Sequence, residues 1–205
     1  MVVLVSKVAI LGGTFDPVHY GHIEMAEIAL RELNVDIVLF VPAGEPPFKE
    51  GATGSGHRLR MLELAIEGRP NIGISNVEVD REGKSFTIDT LDILDKKFTD
   101  TFLLIGADKL NELPRWKDAE RLLRTYTIAV LPRVGYNLTC VESLRKKYSA
   151  SIIELKTAPR DISSTQIRTS LRLDRDAQDL IPARVLDYIK RNNLYLQGDS
   201  QNEKY

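Results

Sequence analysis

Apolar residues gather in five short runs, at 8–11, 37–41, 102–105, 127–131 and 152–155. Each run is continuous rather than alternating, as expected of strands in a parallel sheet covered on both faces. Between the runs, apolar residues return at helical spacing. Ile23, Ala26, Leu30 and Leu33 form one stripe, Leu59, Leu62 and Ala65 a second, and Ile88, Leu91 and Phe98 a third. Val185, Leu186 and Ile189 predict a closing helix, with Pro182 suited to its first turn. Alternation of strand and helix implies right-handed crossovers, and the expected fold class is α/β with a doubly wound parallel sheet.

Two stretches break the pattern. Residues 42–56 hold three prolines and four glycines and read as a long loop rather than a domain boundary. Residues 197–205 are polar and read as a tail, leaving 1–196 as one domain. The residues richest in chemistry follow the apolar runs, at 12–17, 42–49, 106–108 and 132–135. In a parallel sheet all four loops emerge at the carboxyl edge, where open α/β sheets bind ligands.

Composition removes several alternatives. A chain of 205 residues suits one domain, and 43% hydrophobic with 28% charged residues argues against disorder. Lys and Arg number 28 against 29 Asp and Glu. A net charge of −1 draws the molecule toward neither nucleic acid nor an anionic membrane, and neither is expected as a partner. Cys140 is the single cysteine, which excludes an internal disulfide and a cysteine-rich zinc site. The first residues lack the features of a signal peptide, and no apolar run approaches the ~18 residues of a membrane span. The expected location is therefore the cytoplasm. Monomer and homodimer both remain open.

Residues 12–22, GGTFDPVHYGH, open the first predicted helix. Gly12 and Gly13 permit a sharp turn and the close approach of a phosphate. Pro17 biases Asp16 away from helical geometry, so the helix begins after it. His19 and His22 are three apart and share one face at the helix N-terminus if both are helical. Free N–H groups and the helix dipole favour an anion there, and two imidazoles beside them point to phosphate. Gly21 costs roughly 1 kcal/mol of helix stability relative to Ala, which signals close approach by another group. The bland alternative is a glycine turn with two surface histidines, yet two of the three histidines in the chain fall in this one turn. A metal site is the weaker alternative, since His-x-x-His lacks a third ligand unless Asp16 supplies it. A dinucleotide fingerprint is absent here, and residues 51–58 do not form a P-loop, so hydride transfer and P-loop hydrolysis lose ground.

Residues 162–168, ISSTQIR, read as a second helix start. Ser163 with Gln166 fits a capping box, a purely structural reading. The functional reading uses the same physics. The hydroxyls of Ser163, Ser164 and Thr165, with exposed N–H groups, suit the outer phosphates of a nucleotide, and Arg168 adds a forked cation one turn on.

Together, GGTFDPVHYGH and ISSTQIR resemble the nucleotidyltransferase superfamily that carries an HxGH motif and an ISSTxxR motif. The resemblance is nearest to the bacterial nicotinate-nucleotide adenylyltransferase family and continues through PAGEPPFK (42–49), RLRML (58–62), EVDREGKSFTIDTL (78–91), IGADKLNELPRW (105–116) and VLDYIKRNNLY (185–195), of which the first four narrow the substrate. The resemblance implies a Rossmann-like nucleotidyltransferase fold. It also implies a reaction in which ATP and nicotinate mononucleotide give nicotinate adenine dinucleotide and pyrophosphate by direct transfer, with a divalent ion, usually Mg²⁺. By the same resemblance His19 and His22 would contact the ATP phosphates, His22 at the reacting α-phosphate. Gly12, Gly13, Thr14 and Phe15 would supply backbone contacts, and Gly106 and Asp108 would meet the ribose and the bound nucleotide. Ser163, Ser164, Thr165 and Arg168 would hold the phosphates that leave, and no side chain is assigned as a metal ligand.

The mononucleotide would rest on Lys49, Thr87 and Trp116, with Arg81 and Arg133 as further contacts and the 42–56 loop closing over it. A flat indole face suits a pyridine ring, although an aromatic capping a core edge is the structural alternative. Phe48, Phe86 and Val134 stand where the family pattern has histidine, tyrosine and proline. The first two bear on the choice between nicotinate and nicotinamide; none touches the two phosphate signatures. Rival functions are a nicotinamide-mononucleotide or phosphopantetheine adenylyltransferase, a cytidylyltransferase, and a non-catalytic nucleotide sensor on the same fold. A sensor has no need of His19, His22 and Arg168 together.

Overall fold

The computed structural model describes residues 7–45 and 51–195. Phe48, Lys49 and the 197–205 tail lie outside them, as does part of the 42–56 loop, so these expectations are not addressed by it. In chain order the elements are β1 (Lys7–Gly13), α1 (Tyr20–Leu33), β2 (Ile37–Pro42), α2 (Ser55–Ile66), β3 (Ile72–Ile74), α3 (Thr87–Leu94), β4 (Asp100–Gly106), α4 (Ala107–Leu110), α5 (Ala119–Thr125), β5 (Thr127–Leu131), α6 (Cys140–Tyr148), β6 (Ile152–Glu154), α7 (Ser164–Arg172) and α8 (Ala183–Arg191).

Every strand pairing is parallel, and the sheet order is β3-β2-β1-β4-β5-β6. Successive strand residues point to opposite faces, and both faces are covered. Ala9 and Leu11 of β1 pack with Ile23 of α1, Leu62 of α2, Ile167 of α7 and Val185 of α8. Val8 and Ile10 pack on the other side with Leu91 of α3, Leu122 of α5 and Val141 of α6. Two covered faces are why the strands read as unbroken apolar runs. The doubly wound α/β expectation holds.

Some elements depart from the sequence reading. β3 is a three-residue edge strand, Ile-Gly-Ile, too short and too interrupted to register as a run. Helices α5 and α6 each bury only two side chains, Leu122 with Leu123 and Val141 with Leu144, too few for a visible stripe. Pro182 is the N-cap of α8 rather than part of its first turn. Phe98 lies beyond α3, following a 3₁₀ turn at Asp95–Lys97.

The chain winds outward from β1 to β3, then returns to the centre for β4 and winds out the other way. Connections leaving β1 and β4 therefore diverge, and a crevice opens between them at the carboxyl edge.

Candidate active site

β1 ends at Gly13 and the chain turns sharply. Phe15 adopts a left-handed backbone (φ 52°) and is buried, its ring edge-on to Phe40 at 5.2 Å and to His22 at 4.9 Å. The Asp16–Pro17 peptide is cis. His19 is extended (φ −146°) and serves as the N-cap of α1, its Nδ1 accepting from the His22 N–H at 3.3 Å. So the two histidines do not share a helical face. They meet by stacking, with ring centroids 3.6 Å apart and 21° between planes.

Burial, aided by the nearby Arg133 charge, holds the His19 imidazole down from 6.5 to about 3, so it is neutral at physiological pH. An accepting Nδ1 puts the proton on Nε2 and leaves that N–H as a donor. The Gly21 signal is explained within the protein. A Cβ there would sit 3.0 Å from the Arg160 carbonyl and 3.1 Å from His19 Nδ1.

The second helix start packs directly on this turn. Ser163 N-caps α7, accepting from the Gln166 N–H at 3.1 Å. Ser164 Oγ donates to the Pro17 carbonyl at 2.9 Å, and Arg168 Nη1 donates to the Asp16 carbonyl at 2.7 Å. These bonds join residues 147 and 152 positions apart. Arg168 Nη2 lies 3.4 Å from Thr165 Oγ1, so the guanidinium links the first turn of α7 to the Asp16 carbonyl. Gly12, near the end of β1, is exposed, and a Cβ there would meet nothing within 4 Å.

β4 delivers Gly106 and Asp108. A Cβ on Gly106 would stand 2.5 Å from Asp108 Oδ1, so the glycine lets that carboxylate fold back over the start of α4. Asp108 Oδ2 pairs with Arg133 Nη1 at 3.1 Å, and Arg133 Nε lies 3.4 Å from Asp161. Arg133 thus stands with Asp108 and near His19.

Beside the turn lies a cavity of about 740 Å³. Ile10, Val41 and Ile105 supply apolar lining, with Phe86, Thr87, Trp116 and Lys117 around it. Gly12, Gly13 and Thr14 also line it, so turn and cavity share a wall; Arg133 is not among its lining residues.

Three features were not foreseen. Glu78, 7% exposed, accepts from Thr90 Oγ1 at 2.6 Å, and burial pushes its carboxyl up. Ser85 Oγ accepts the Gly44 N–H at 3.0 Å, tying the loop after β2 to the approach to α3. Arg58, 1% exposed, donates to the carbonyls of Thr53, Thr14 and Gly44 at 2.8, 2.9 and 3.2 Å. An arginine on an amphipathic helix reads as a solvated charge, so nothing in residue order marks this bridge.

Among the described residues no group of three or more His, Cys, Asp and Glu side chains is arranged to hold a metal ion. Both carboxylate oxygens of Asp16 are engaged, one by the Tyr195 phenol and one by the Thr53 N–H. This donor set does not fit a metal ion caged by the protein.

The cytidylyltransferase-like family model matches residues 10–170. A relative from Caldicellulosiruptor bescii, named "Probable nicotinate-nucleotide adenylyltransferase", is 38% identical over 194 residues, covering 92% of this chain and 98% of its own. A Clostridium botulinum protein of the same name is 37% identical over 196 residues, covering 93% and 98%. Among solved structures, Plasmodium falciparum nicotinic acid mononucleotide adenylyltransferase complexed with NaAD superposes with a TM-score of 0.78 at 22% identity, over 93% of this chain and 97% of that one. With both signatures joined at one sheet edge and these relatives spanning nearly its whole length, the chain belongs to the cytidylyltransferase-like family and, within it, to the bacterial nicotinate-nucleotide adenylyltransferases.

Proposed function

We propose that this protein transfers the adenylyl group of ATP to nicotinate mononucleotide, giving nicotinate adenine dinucleotide and pyrophosphate, the adenylylation step of NAD synthesis. The observation that carries this reading is the direct hydrogen bonding of the ISST turn to the first turn, Ser164 to Pro17 and Arg168 to Asp16, beside the cavity. Groups that recognise a triphosphate and a pocket for a second nucleotide thereby share one edge.

The chemistry needs little from the protein beyond placement. A 5′-phosphate oxygen of the mononucleotide is already a nucleophile. It attacks the α-phosphorus of ATP, a new P–O bond forms, and the bond to the bridging oxygen of the β-phosphate breaks. Catalysis reduces to aligning two polyanions and stabilising charge on the α-phosphate. His22 is assigned to the reacting phosphate. His19, neutral, offers its Nε2–H beside it. Ser163, Ser164, Thr165, Arg168 and the N-terminus of α7 hold the departing phosphates. Gly12, Gly13, Thr14 and Phe15 shape the backbone cradle, and Gly106 and Asp108 meet the ribose. Thr87, at the start of α3, and the Trp116 ring receive the mononucleotide, with Lys49 as a further contact. Arg133, expected on the mononucleotide side, pairs with Asp108, which supports a role for it on the ATP side. Mg²⁺ enters bound to ATP as part of the substrate. The cytoplasm is the assigned location, with nucleotides rather than nucleic acid or membrane as partners.

Pyrophosphate release from ATP, measured with nicotinate mononucleotide, nicotinamide mononucleotide and phosphopantetheine as acceptors, tests the proposal. Turnover with nicotinate mononucleotide is expected. Turnover confined to another acceptor reassigns the substrate, and nucleotide binding without any turnover points to a sensor.

A further inference from the structure

The end of the described chain returns to the catalytic turn. α8 closes with a Schellman motif, in which the Leu194 N–H donates to Ile189 O at 3.0 Å and the Asn193 N–H to Lys190 O at 3.3 Å. Asn193 is left-handed (φ 51°), as that motif requires. Tyr195 is left-handed too (φ 62°), and no capping geometry demands it there. An aromatic residue rarely adopts this conformation, and persists in it only where its surroundings enforce it.

What the conformation achieves is visible at the phenol. Tyr195 Oη donates to Asp16 Oδ1 across 179 residues, and burial with that bond pushes the phenol's pKa up. Asp16 is itself 7% exposed and takes the Thr53 N–H on its other oxygen at 3.2 Å. Its main-chain carbonyl holds Arg168. Its neighbours are Phe15, whose ring meets His22, and Pro17, whose carbonyl holds Ser164.

We infer that Tyr195 is a positioning residue for adenylyl transfer, its phenol pinning Asp16 so that Arg168, Ser164 and His22 meet the triphosphate in register. This rests on the function proposed above. Placement of groups around a transition state tolerates little displacement, so loss of the pin acts on the chemical step more than on substrate capture.

The test uses the full chain with Tyr195→Phe, Asp16→Asn and the double variant, assayed well below their melting temperatures. Tyr195→Phe is expected to lower kcat about tenfold with both KM values within about twofold. The double variant should be no worse than Asp16→Asn alone, because the two residues act as one unit. Hydrogen exchange in the free protein should quicken about tenfold at residues 14–22 and stay unchanged in α3. A Tyr195→Phe variant with unchanged kcat overturns the inference, even where its melting temperature falls. So does a double variant whose losses multiply. If the wild-type protein turns over no acceptor, the function proposed above fails and the exchange measurement decides alone. Quickened exchange confined to the turn then supports the pin, and unchanged exchange overturns it.

Discussion

Two stacked imidazoles 3.6 Å apart cannot both carry charge cheaply, and the fold resolves this by burying one. His19 is 5% exposed and caps α1 through Nδ1, which requires the neutral ring. His22 is half-buried and lies within α1 rather than at its cap. The distinction yields two predictions. His22→Ala should cut turnover by at least ~10² while leaving the melting temperature near that of wild type, since the role proposed for His22 is a transition-state contact. Retention of most activity would show the role is misassigned. His19 has a folded-state pKa of about 3, below its value of 6.5 when unfolded. Between those values the unfolded chain binds the extra proton, so stability is lost as pH falls from 6.5 toward 3. His19→Asn keeps a capping side chain without titrating. Its denaturant midpoint should therefore change less between pH 7.5 and 4.5 than that of wild type; an equal change would place the acid sensitivity elsewhere.

At the scale of elements, the loops after β1 and β2 owe their positions to α2. Arg58 reaches from that helix to the carbonyls of Thr14, Gly44 and Thr53, and Ser85 takes the Gly44 N–H from the far side. Buried carbonyls left without a donor cost about 1–3 kcal/mol apiece. Arg58→Leu should thus destabilise the protein by on the order of 3 kcal/mol, read from guanidinium unfolding. A loss below about 1 kcal/mol would mean that water replaces the guanidinium. A Cβ at Gly44 would stand 2.2 Å from the Glu78 carbonyl, so this glycine exists for close backbone approach rather than for ligand access. Glycine content alone did not distinguish the two uses.

Over the whole molecule, the two joined helix starts and the cavity occupy neighbouring ground, and among the described residues Gly12, Gly13 and Thr14 form their shared wall. Substitutions in each region should divide between the substrates. Trp116→Ala is expected to raise the KM for nicotinate mononucleotide about tenfold while the KM for ATP stays within about twofold. Trp116 is the sole tryptophan, so its fluorescence should report the mononucleotide directly, and equal effects on both KM values would argue against two subsites. Much of this plan is legible in one dimension. Covered parallel strands must be continuously apolar, and glycine, proline and capping residues mark their local turns whatever the rest of the chain does, so the alternation, the carboxyl-edge loops and the two helix starts could be read from residue order. Short, weakly buried elements such as β3, α5 and α6 escaped because their signal is spread over too few residues. Long-range partners left no local trace at all. That Ser164 and Arg168 reach the first turn, that Arg58 is buried among carbonyls, that Arg133 sides with Asp108 and that Tyr195 closes on Asp16 are consequences of where the fold brings separate segments, because a polar side chain looks the same in sequence whether it meets water or a partner on another segment.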